Sequence, residues 1–214
     1  MHYRLLQKTG IALTLCTILV IVSYKYIDKP FAEFIYQHTD LTLHQQIRHF
    51  ALTASQILHF LAPIFVILLI LKKLISEHLS KLQLTFLAIA INLIITDSIK
   101  DILKLVFGRY RPVTWMKNIP EWLQSPQYGF HPFHSGLAYQ SFPSGHTAAI
   151  FAIMSVIWIV YPKWRWLCVI SCATVMTLLL TLNYHFVSDV IAGAFLGAIT
   201  GIYTVYLFVL DKRP

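Results

Sequence analysis

Charge is scarce in this sequence, and acidic charge is scarcest. Nine Asp and Glu stand against 17 Lys and Arg in 214 residues; charged residues make up 12% of the chain and hydrophobic residues 57%. So small a charged share excludes an ordinary soluble domain, whose composition is about a quarter charged. Cysteine is also rare. Cys16, Cys168 and Cys172 all lie inside apolar runs, which excludes a disulfide framework or a thiolate metal cluster and leaves the redox compartment unread. The chain has no long-period repeat and no low-complexity segment. No small-residue cleavage site follows the first apolar block, although Arg4 and Lys8 precede it, so an uncleaved membrane helix is expected there rather than a secretory signal.

What the sequence does have is long apolar runs. Six blocks, at about 9–27, 50–71, 83–103, 144–161, 166–183 and 188–209, approach the roughly 20 residues that a helix needs to cross a bilayer. The expected fold is therefore all-α: a single integral membrane domain over 1–214, built as a bundle of six transmembrane helices. The first block is the weakest, because its purely apolar part spans only 11–24 before "YKYIDKP".

Placing the N-terminus in the cytoplasm puts nine of the 17 basic residues inside and eight outside. Four of the outer eight, Lys100, Lys104, Arg109 and Arg111, are packed at the end of the third block. Without them the balance follows the positive-inside rule. Something other than topology holds four cations on the outer side. The 113–142 segment between the third and fourth blocks is rich in aromatics (Trp115, Trp122, Tyr128, Phe130, Phe133, Tyr139, Phe142) and is expected to lie on the outer surface as a lid or lipid-facing rim. His131 and His134 within it read as surface residues. Gly193, Gly197 and Gly201, four residues apart, read as a helix-packing stripe.

Three polar constellations fall at block ends on that same side. In "KLVFGRYRP", Lys104 and Arg111 are seven residues apart, about two helical turns, and Lys100 lies one turn before Lys104, with Asp97 and Asp101 within pairing distance. Charges this close to hydrocarbon are costly and functional by default. In "PSGH", Ser144 and Gly145 stand where the fourth helix begins. That terminus offers backbone N–H groups and the positive end of the helix dipole to an anion, and His146 adds a proton donor. In "NYHFVSDV", His185 and Asp189 are four apart on one helix face, so the carboxylate can fix the imidazole tautomer and free the other ring nitrogen as nucleophile or base. A metal site is thin here, with two ligands and no third. Together the three describe a pocket for an anion with tetrahedral oxygens.

At these residues the sequence resembles the type 2 phosphatidic acid phosphatase family, the membrane branch of a superfamily that includes vanadium haloperoxidases. The family signature is Lys-x6-Arg-Pro, Pro-Ser-Gly-His, and Ser-Arg-x5-His-x3-Asp. Lys104–Pro112 match the first part, Pro143–His146 the second, and His185 and Asp189 the end of the third. The resemblance implies a lipid phosphate phosphatase with its site at the outer membrane face. His185 would be the nucleophile, Asp189 its orienting partner and His146 the general acid and base; Lys104, Arg111, Ser144 and Gly145 would hold the phosphate. No metal and no cofactor are implied. The implied partners are a lipid phosphate and the bilayer, not nucleic acid, and the implied location is a bacterial inner membrane with the site facing outward. Which lipid phosphate is taken is not legible, nor is the oligomeric state. One departure stands out. The family's Ser-Arg falls on Leu178 and Leu179, so one expected phosphate cation is missing. Lys100, Arg109, Asn183 and Tyr184 are the candidate stand-ins, and the gap keeps a transferase, with a hydroxyl acceptor in place of water, as the alternative.

Overall fold

The computed structural model describes residues 2–38, 64, 67–68, 71–72, 79–112 and 128–207. Among the described residues the continuous α-helices are α1 (His2–Val22), α2 (Asp28–His38), α3 (Lys81–Phe107), α4 (Gly145–Val160), α5 (Arg165–Thr181) and α6 (Val187–Val205). Among the described residues two isolated β-bridges occur and no strand. The expected span at 50–71 lies almost entirely outside the described residues. Among the described residues four helical stretches are long and apolar enough to cross a membrane: Tyr3–His38, Lys81–Phe107, Pro162–Thr181 and Val187–Val205. α4 is apolar but shorter, at 16 residues. The chain is an integral membrane protein.

The first helix does not run out at "YKYIDKP". It continues through a π-helical turn, Ser23–Ile27, in which the Asp28 N–H bonds Ser23 O, and runs on into α2. The reason is Pro30. An interior proline lacks an N–H and its ring collides with the carbonyl four residues back; a widened turn just before it accommodates both defects without ending the helix. The combined helix is 36 residues long, roughly 54 Å, so it extends well past a hydrocarbon core of about 30 Å.

Local chemistry sets the other boundaries. Ser80 and Gln83 form a reciprocal capping box at the start of α3, and Gly108, at φ 51°, ends it in the left-handed region. Ser144 caps α4 by accepting from Thr147 N. Asn183 turns the chain at φ 50° between α5 and α6.

The helices pack in a fixed register. α4 and α6 run parallel and very close. A Cβ on Gly197 would stand on the Ala148 carbonyl and 2.7 Å from Ala152 N, so the stripe of small residues on α6 is what lets α4 in. α3 runs antiparallel to both. Its Asn92 Nδ2 donates to Ala152 O at 2.8 Å, and Thr96 Oγ1 lies 2.8 Å from Thr200 Oγ1. α1 is antiparallel to α6: Thr9 meets Tyr203 at one end and Asp28 meets Ser188 at the other. Packed this way, the C-terminal end of α3, the N-terminal ends of α4 and α6, the α5–α6 turn and the α1–α2 junction converge at one pole.

The described part of the aromatic segment departs from the lipid-facing expectation. Tyr128 stacks on Tyr24 at 5.0 Å, Phe130 packs against Tyr24, Phe107 and Phe142, and Tyr139 packs on Tyr110. Tyr128 and Phe130 turn inward at that pole, each with its ring against the buried Arg109 guanidinium. Phe133 and Leu137 remain exposed. His131 is half-buried against Tyr110, while His134 is exposed.

Candidate active site

Two histidines face each other at the pole. His146, in the first turn of α4, and His185, in the α5–α6 turn, have ring centroids 6.4 Å apart, and Tyr184 stands beside both. His185 is 3% exposed. Burial drives its ring below the ordinary histidine value, to about 4; Asp189 draws it upward, while Arg111 and Lys104 push it down. Its Nδ1 is 3.5 Å from Asp189 Oδ2, at the far limit of hydrogen-bond range. The ring is thus held neutral, beside a carboxylate placed to favour any positive charge it acquires.

Asp189 is fully enclosed, as the third residue of α6. Oδ2 accepts from Ser141 Oγ at 2.6 Å and Phe186 N at 2.9 Å, while Oδ1 accepts from Arg109 Nη1 at 2.6 Å. An anion at a helix N-terminus is favoured by the dipole, and three charge-assisted bonds fix its orientation. Its carbonyl also accepts from Ser144 N at 3.0 Å, tying the start of α4 to the start of α6.

The cations line the other wall. Arg111 Nη1 donates to Tyr184 OH at 3.0 Å, and its guanidinium lies over the Tyr184 ring. Lys104, in the last turn of α3, brings Nζ within 3.7 Å of the place a Cβ would occupy on Gly145. A side chain at 145 would therefore intrude between Lys104 and the α4 terminus. Ser144 Oγ is engaged with Thr147. The structure brings together His146, His185, Asp189, Lys104, Arg111, Ser144 and Gly145: a corner bearing two cationic side chains with two imidazoles across it.

The candidate stand-ins for the missing arginine divide. Lys100 lies beside Gly145 but is bound by Asp97 at 2.7 Å and Asp101 at 3.2 Å. Tyr184 borders both histidines. Arg109 and Asn183 turn away from the corner lined by Lys104 and Arg111. Asn183 Nδ2 donates to Ala32 O, and Arg109 is wholly buried between Asp189 and Asp28. Burial alone would weaken that guanidinium's hold on its proton; Asp189 and Asp28 outweigh it, so Arg109 titrates above the usual arginine value. Sequence spacing missed Asp28, Ser141, Ser188 and Tyr128. The signal for Asp28 was its position, an acid at the end of an apolar helix in a chain with few acids.

The PAP2 superfamily profile matches residues 82–213. The chain belongs to the PAP2 superfamily. Two curated relatives align over 142 residues, or 64% of this chain: a lipid A 1-phosphatase of Rhizobium johnstonii at 27% identity, and one of Rhizobium etli at 25%. This chain spans 55% and 58% of their respective lengths. The crystal structure of a transmembrane PAP2-type phosphatidylglycerolphosphate phosphatase from Bacillus subtilis superposes with a TM-score of 0.55 at 18% identity, covering 96% of this chain and 98% of that one. The likeness of fold takes in α1 and α2, which lie before the matched profile.

Proposed function

We propose that this PAP2 protein is a lipid phosphate phosphatase that hydrolyses a phosphomonoester or diphosphate at the membrane surface. The carrying observation is the meeting of His185 with its buried Asp189, opposite His146, in a corner lined by Lys104 and Arg111. The phosphatase names of the Rhizobium relatives support the same reaction class.

In this reading, His185 Nε2 attacks phosphorus while the bond to the lipid oxygen breaks. His146 gives a proton to that leaving oxygen, then takes one from the water that hydrolyses the phosphohistidine. Lys104, Arg111 and the α4 N-terminus at Ser144 and Gly145 stabilise the charge on the equatorial oxygens. Because fixed cations supply that stabilisation, no metal is needed. The site faces the extracytoplasmic side of a bacterial inner membrane, and the lipid enters laterally from the bilayer.

The alternative is transfer to a lipid or sugar hydroxyl, favoured by Leu178 and Leu179 where the family has Ser-Arg. The two are separated by measuring inorganic phosphate release from a lipid phosphate with and without an added alcohol. Full release without the alcohol establishes the phosphatase. Turnover only when the alcohol is present, as its phosphate ester, establishes the transferase.

A further inference from the structure

Arg109 is divided between two carboxylates. Nη1 donates to Asp189 Oδ1 at 2.6 Å and Nη2 to Asp28 Oδ2 at 2.7 Å, and all three side chains are almost completely sealed from solvent. Ser188 joins the same knot. Its N donates to Asp28 Oδ1 at 2.9 Å, its Oγ also donates to Asp28, and Arg109 Nη1 donates to that Oγ. Aromatic rings close over the guanidinium: Phe186 at 4.3 Å, Phe130 at 4.9 Å and Tyr24 at 5.2 Å.

Asp28 comes from the α1–α2 junction, outside the segment that matches the superfamily profile. It grips the residue just before Asp189 and, through Arg109, Asp189 itself. A single carboxylate would already neutralise Arg109. With two, the cluster carries one negative charge in excess, facing the His185 ring across Asp189.

We propose that Asp28 is a positioning residue for the reaction: through Arg109 and Ser188 it fixes Asp189, and thereby His185, and supplies the excess negative charge that the ring meets when it becomes cationic. This rests on the nucleophilic role given to His185 above. When Nε2 bonds phosphorus and the lipid oxygen departs with a proton from His146, the ring keeps its Nδ1 proton and carries a positive charge. A carboxylate pair sharing one guanidinium is arranged to receive that charge without moving. The N-terminal helix is thus part of the catalytic unit rather than a membrane anchor beside it.

The test is single-turnover phosphate release with the full chain at saturating excess over a lipid phosphate, where the rate constant reports the bound complex and no longer changes with the amount of folded chain. Asp28→Asn keeps the shape and removes the charge. It is expected to slow the step about 10- to 100-fold, the order of loss for a small misplacement of a reacting group, with half-saturation within about twofold. Ser188→Ala, which retains every charge and removes the shared hydroxyl, is the second variant should Asp28→Asn not fold, and is expected to slow the step in the same direction. Wild-type saturating rate constants in the variants would overturn the proposal and leave the phosphatase reading standing. If the wild-type chain releases phosphate from no lipid, the phosphatase reading falls and this inference with it.

Discussion

Arg109 and Asp189, 80 residues apart in the chain, meet at 2.6 Å with no solvent exposure on either. That contact joins the end of α3 to the start of α6 and holds the carboxylate beneath His185. The arginine therefore acts behind the imidazole, not in front of it.

Replacing Arg109 by Met should be costly to the fold as well as to activity. It would leave two buried carboxylates, Asp28 and Asp189, without their shared cation. Breaking a buried ion pair by removing one partner costs about 3–5 kcal/mol. Thermal unfolding in detergent should show a large drop in melting temperature for Arg109→Met, and a wild-type melting temperature would contradict the geometry.

Lys104 and Lys100 should behave differently, although they lie one turn apart. Lys104 stands over the α4 terminus, whereas Lys100 is bound to Asp97 and Asp101. A hydrogen bond to a charged group contributes about 1.5–3 kcal/mol, so Lys104→Ala should lower kcat/KM about 10- to 100-fold. Lys100→Ala removes a partly exposed ion pair that contributes at most about 1 kcal/mol and should change kcat/KM no more than about fivefold. Steady-state kinetics on one lipid phosphate checks both, and equal losses would place Lys100 in the phosphate corner.

Much of this was legible beforehand, and the omissions share a cause. Lys104 with Arg111, Ser144 with His146, and His185 with Asp189 are close in sequence, so each set stays together at one helix end, although α3 stops at Phe107 and α6 starts at Val187, which leaves Arg111 and His185 on turns rather than on the helix faces the spacing suggests. The third, fourth, fifth and sixth apolar blocks fall within a few residues of α3 to α6, because bilayer thickness dictates run length. Asp28 has no such local signature. Its partners are 81 and 160 residues away, and only the antiparallel packing of the N-terminal helix on α6 brings them together. Pro30 hid the continuity of that helix, since the π-turn that accommodates it has no sequence motif. The choice between lid and lipid-facing rim for the aromatic segment was equally hidden, because aromatics such as Tyr128 and Phe130 suit a membrane interface and a buried guanidinium alike.

Activity should persist well below the ordinary histidine range. In the proposed mechanism the neutral ring is the nucleophile, and burial holds its protonation down to about pH 4, with Asp189 opposing and Arg111 and Lys104 assisting. On the acid side, kcat/KM, which reports the free enzyme, should therefore fall only as pH approaches about 4, as His185 takes up a proton. Asp189→Asn removes the group that draws the value upward and should shift the acid limb lower still. A limb near pH 6.5 that Asp189→Asn leaves in place would show that His185 is not the group titrating.

The α4–α6 contact should tolerate no side chain at position 197. Gly197→Val would drive a branched group into the Ala148 carbonyl and Ala152 N. Overpacking of this kind costs about 1–3 kcal/mol. Because α4 and α6 also carry His146 and Asp189, a loss of thermal stability should come with a loss of turnover; unchanged melting would mean the helices are not in contact there.

The most direct test is inorganic phosphate release by the purified, detergent-solubilised chain on four lipids: phosphatidic acid, phosphatidylglycerol phosphate, a polyprenyl diphosphate and lipid A. The assay is run in EDTA, beside His185→Ala. Release from at least one lipid that survives EDTA and vanishes in the variant is the predicted result. Release that needs added metal, or that His185→Ala retains, would contradict catalysis by this pair of histidines.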